Sequence, residues 1–67
     1  MPACKIKIKN LYLHDFWVYE NGTVGFIKFN KDGFYRFDSG AEAEKVKEML
    51  IKELDISKNE IAVYMIE

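Results

Sequence analysis

The chain has one cysteine, one proline, one histidine and no glutamine, and it contains no apolar run long enough to span a bilayer. Each shortage excludes a class of protein. A single thiol, Cys4, cannot form an intramolecular disulfide, so a stapled secreted miniprotein is ruled out. One histidine and one cysteine cannot complete a zinc site, and the turn from Asn30 to Gly33 lacks the acidic positions a calcium loop needs before its glycine. No metal or cofactor is therefore expected. In the absence of a membrane span or a signal-peptide core, the expected compartment is the cytoplasm, with no membrane partner. Asn21-Gly22-Thr23 matches a glycosylation acceptor, but in this setting it reads as a hairpin turn.

What is present is apolar and aromatic. Of 67 residues, 49% are hydrophobic and ten are Phe, Tyr or Trp, which marks a folded globule and not a disordered tail. The length allows one domain, residues 1–67. A domain this short buries only about 60% of its unfolded surface, so association would strengthen it. Abundant Lys, Glu and Ile without Gln is a thermostable-like composition.

Charge is divided along the chain. Residues 1–36 carry six basic and three acidic side chains, a surplus of +3, and residues 37–67 carry four basic and eight acidic, a deficit of −4. An anion would meet the first half before the second.

Lys5-Ile6-Lys7-Ile8-Lys9 alternates with the period of a half-buried strand, its lysines in water and suited to protecting an edge. Leu11 and Leu13 change the parity, which predicts a bulge or break near Asn10, and a reversal is expected around His14-Asp15. Asn21-Gly22 predicts a two-residue turn pairing Tyr19 with Val24, Trp17 with Phe26 and Phe16 with Ile27. A type I turn from Asn30, with Gly33 left-handed, would set Phe29 opposite Tyr35 and Ile27 opposite Phe37. Ser39-Gly40-Ala41-Glu42 is a capping box. It opens a helix to about Leu54, with Ala43, Val46, Leu50 and Leu54 as the apolar stripe and Met49 at its margin. Ile56 is expected to pack inward from the following loop. Ile61 to Ile66 is a last strand with no polar face, as for a strand inside its sheet or buried by a partner.

The expected fold is α+β: an antiparallel β-meander of four strands, one α-helix packed on one face, and a C-terminal strand completing the sheet (β-β-β-β-α-β), set beside the first strand in the working arrangement, with the fourth strand or a dimer axis as the other places open to it. One sheet face would present Phe16, Val18, Ile27, Phe29, Tyr35 and Phe37 to the helix. The other would carry Trp17, Tyr19, Phe26 and Phe34, with Lys28 and Arg36 among the rings and Asp15 nearby.

Two functions fit that second face. The first is a non-catalytic protein-interaction module, most simply a homodimer, with the four rings as anchors and Lys28 and Arg36 at the rim. The second is a platform for single-stranded nucleic acid, on which bases stack against rings and the two cations meet phosphates. Rings that only stabilise the sheet by cross-strand pairing are the plain alternative to both. Gly22-Thr23-Val24, Lys28-Phe29-Asn30 and Gly33-Phe34-Tyr35-Arg36-Phe37 resemble the glycine-and-aromatic strands of the cold-shock domain. The spacing departs from that family's pattern, and a helix with one strand stands where its barrel needs two more strands, so no residue role is carried over.

Catalysis is not expected. His14 and Asp15 are adjacent, and successive strand residues point to opposite faces. Cys4, near the N-terminus and beside no cation but Lys5, is expected to be a free thiol without a role. Glu42, Glu44, Glu48 and Glu53 distribute over the solvated side of the helix.

Overall fold

A computed structural model describes residues 2–66. Four strands, β1 (Cys4–Ile8), β2 (Leu11–Val18), β3 (Val24–Asn30) and β4 (Ile61–Met65), form an antiparallel sheet of order β3-β2-β1-β4, and one helix, α1 (Gly40–Leu54), precedes β4. The α+β class and the single helix are as the sequence predicts, and of the placements open to the last strand it takes the one beside the first. The sheet remains open, with β3 and β4 at its edges.

The turns differ in detail. β1 reverses directly into β2 through Lys9-Asn10, pairing Ile8 with Leu11, and Lys9 takes the left-handed conformation at φ 55°. No reversal occurs at His14-Asp15. There the register slips by one residue between the pairs Leu13↔Phe29 and Asp15↔Lys28, so His14 is the extra residue of a bulge. That bulge turns both Leu13 and Phe16 toward the core.

At the next hairpin Tyr19 N–H donates to Thr23 O (2.8 Å) and Gly22 N–H to Tyr19 O (2.9 Å), closing a three-residue loop, Glu20-Asn21-Gly22. Only Gly22 has positive φ (87°), so this is not the two-residue turn expected. The wider loop pairs Val18, not Tyr19, with Val24, and a second bulge at Gly25 absorbs the shift. Trp17↔Phe26 and Phe16↔Ile27 then pair as predicted.

The Phe34–Phe37 segment departs most from expectation. Asn30 Oδ1 accepts the amides of Asp32 (2.8 Å) and Gly33 (2.6 Å), and the chain then leaves β3 instead of pairing with it. β1 and β2 pair only at Lys7↔Tyr12 and Ile8↔Leu11. Where they part, the segment fills the gap: Tyr35 N–H donates to Leu13 O (2.7 Å), and Phe37 and Cys4 exchange two backbone hydrogen bonds (2.8 and 2.9 Å). Phe29 faces Leu13 and Ile27 faces Phe16, in place of Tyr35 and Phe37.

The core follows from this arrangement. Ser39 caps α1 by accepting Glu42 N–H (3.2 Å), and Asp55 ends it in the left-handed region at φ 52°. The helix buries Ala43, Val46 and Leu50 chiefly over β1 and β4, against Ile6 and Ile61. Ile51 packs on that cluster, whereas Leu54 is exposed. Phe16, Tyr35 and Phe37 pack ring to ring, with centroids 4.8 to 6.0 Å apart, over the half of the sheet beyond β1. Ile6, Leu13 and Leu50 are fully buried, each stabilising by about 1.5–3 kcal/mol. Ile56 packs inward as expected. Cys4 is buried in the core, not loose at the terminus, because β1 pairs along its whole length with β4.

Candidate functional site: the open face of the sheet

The side of the sheet away from α1 is built by register. Cross-strand partners share a face, and the outward pairs are Lys5↔Tyr64, Lys7↔Ala62, Lys7↔Tyr12, Asp15↔Lys28 and Trp17↔Phe26. Lys5 and Lys7 therefore stand on an inner strand, β1, in the middle of the face. They do not guard an edge.

Their ammonium groups lie on aromatic rings. Lys5 Nζ is 4.8 Å from the Tyr12 ring centre and 4.7 Å from that of Phe34, and Lys7 Nζ is 5.6 Å from Tyr12. Tyr12 and Phe34 pack at 5.8 Å. With Tyr64, Met65 and Ile66 these residues line an open concavity of about 530 Å³. Its chemistry is that of a shallow cationic bowl with ring walls. Among the described residues neither lysine has a carboxylate within ion-pair distance; the ion pair present is Lys47 with Glu44 on α1.

A second group lies along the β2–β3 hairpin. Lys28 Nζ is 5.9 Å from the Phe26 ring, and Trp17 and Tyr19 are each 56% exposed. Gly25 permits this, since a Cβ there would come within 2.9 Å of Tyr19 Cε2 and 3.1 Å of Trp17 Cδ1. Asp15 turns its Oδ1 back to Phe16 N–H (2.9 Å).

Of the six residues picked from sequence, Trp17, Tyr19, Phe26 and Lys28 gather on the hairpin, and Phe34 sits in the bowl with Lys5. Arg36 is exposed between Tyr35 and Phe37, whose rings turn to the core, and it makes no contact with the bowl. Lys5, Lys7, Tyr12 and Tyr64 were missed. The signal for Tyr12 and Lys7 lay in Lys9-Asn10, since a two-residue reversal there puts them opposite each other.

His14 is exposed on its bulge, its ring set where a Gly33 side chain would be (2.9 Å from Cδ2), and Asp15 belongs to the opposite register position. Among the described residues no three His, Cys, Asp or Glu side chains cluster as metal ligands, and no helix is long and apolar enough to cross a membrane. No protein family, curated protein or solved structure matches the chain. The face must be read from its own chemistry.

Proposed function

We propose that the protein is a non-catalytic binding module whose open sheet face holds single-stranded nucleic acid. The observation that carries this reading is the pair Lys5 and Lys7 seated on the Tyr12 and Phe34 rings at the centre of the face, without a carboxylate partner among the described residues. Rings offer stacking surface to any base, and the adjacent ammonium groups meet the phosphates. Lys28, Phe26, Trp17 and Tyr19 continue the same alternation along β2 and β3, giving a strand of several nucleotides somewhere to run.

A homodimer burying this same face is disfavoured by charge. Two-fold docking would bring Lys5, Lys7 and Lys28 of both copies together, and among the described residues the carboxylates near them are Asp15 and, beside Lys7, Glu60, fewer than the lysines they would have to offset.

The test uses Trp17, the single tryptophan, as reporter. Its fluorescence is titrated with mixed-sequence single-stranded and duplex oligonucleotides at low and moderate salt. Saturable quenching is expected with the single strand, weakening with salt by a log–log slope of about −0.7 for each phosphate neutralised. Lys7→Gln should flatten that slope by about one such contact. No quenching, together with no change in the anisotropy of a labelled oligonucleotide, would sink the reading.

A further inference from the structure

The two edges of the sheet are unlike. β3 carries Lys28, is bulged at Gly25 and is followed by Lys31, all of which hinder a neighbour from pairing with it. β4, Ile61-Ala62-Val63-Tyr64-Met65, has no charge, no proline and no register shift against β1. Its outward backbone groups can be assigned. Ile66 N–H donates to Ala3 O (2.9 Å), and Cys4 gives both its backbone groups to Phe37 on the far side of β1. In antiparallel alternation, Ala62, Tyr64 and Ile66 therefore bond to β1, and the N–H and C=O groups of Ile61, Val63 and Met65 point to the open edge. Met65 is 66% exposed and Tyr64 48%. Glu60, the nearest preceding charge, folds its carboxylate back onto Ser57 N–H (3.0 Å) and away from the edge.

We propose that a second copy of the chain pairs its β4 antiparallel with this β4, about a two-fold axis at Val63. The sequence is self-complementary in that register. Val63 faces the partner's Val63 in a hydrogen-bonded pair, Ile61 exchanges bonds with the partner's Met65, and Ala62 lies beside the partner's Tyr64, the small residue making room for the ring. No charged residue lies within the five positions that pair. The product is one eight-stranded sheet, and because Tyr64 borders the Lys5–Lys7 bowl, the two open faces join into a single surface. The pairing rests on the edge alone and stands whether or not the face binds nucleic acid.

Sedimentation equilibrium over a range of concentrations, with hydrogen exchange read residue by residue, tests it. The expected result is twice the chain mass, with the amides of Ile61, Val63 and Met65 protected at least tenfold more at high than at low concentration. Met65→Lys, a change at an exposed side chain, should give a monomer with an unchanged far-ultraviolet circular dichroism spectrum and those three amides open. A single-chain mass up to the solubility limit overturns the proposal. So does a dimer in which the three amides exchange freely, which would mean another surface is used, and so does a dimer undiminished by Met65→Lys.

Discussion

Among the described residues two hold the left-handed conformation without being glycine, Lys9 at φ 55° and Asp55 at φ 52°. Asp tolerates this region through its short polar side chain, and at the helix end its N–H is repaid by Ile51 O. Lys9 has no such excuse. It pays a steric cost so that β1 can reverse in two residues, which is what sets Tyr12 opposite Lys7 and builds the bowl. Lys9→Gly should therefore raise stability, by up to about 1 kcal/mol once glycine's extra unfolded-state entropy is set against the relieved strain. A urea midpoint that falls would show that the Lys9 side chain contributes something the turn geometry does not explain. Gly25 is the opposite case, a residue whose missing side chain leaves room for two others, Trp17 and Tyr19.

Among the elements, α1 is legible from its sequence to within a residue, because the Ser39 cap, the 3.6-residue apolar spacing and the stop near Leu54 are all local. Ser39→Ala removes the acceptor for Glu42 N–H and should cost about 1 kcal/mol, seen as a lower thermal midpoint with the helix signal retained below it. A larger loss would mean that Ser39 also holds the Phe37 crossing. The strands were less legible. Residues 11–18 read as two pieces because Leu11 and Leu13 sit out of phase with Phe16 and Val18, and a bulge at His14 produces the same parity change as a turn. Phe34–Phe37 alternates like a strand but pairs only at isolated points, with Leu13 and Cys4, and not with β3. It serves as a wedge between β1 and β2, and its alternation still sends Phe34 to the open face and Tyr35 and Phe37 inward.

At the scale of the whole molecule, one helix is too narrow for a four-stranded sheet, and the aromatic trio Phe16, Tyr35 and Phe37 covers what it leaves. The sides also differ in charge, with Lys5, Lys7 and Lys28 beside Asp15 on the open face, while on the helix the four glutamates 42, 44, 48 and 53 are nearly balanced by Lys45, Lys47 and Lys52. So small a domain has little stability to spare. If β4 joins two copies, folding and association are linked, and the thermal midpoint should climb as protein concentration rises. A midpoint that stays constant over a hundredfold range of concentration would show that each chain carries its stability alone.

The sequence by itself determined the helix, the last strand and the alternation that sends most apolar residues inward, since the helical stripe, the cap and period-two spacing depend on neighbours a few positions apart. It also put Trp17, Tyr19, Phe26, Lys28 and Phe34 on one side. Only the tertiary structure decided which strands touch. The strand order placed the basic strand β1 inside the sheet, turned lysines that read as edge guards into the centre of a ring-lined bowl, and left the uncharged β4 at the rim. Those outcomes depend on contacts between residues as far apart as Lys5 and Tyr64. Competition among alternative registers settles such contacts, and it is won by burial across the whole core.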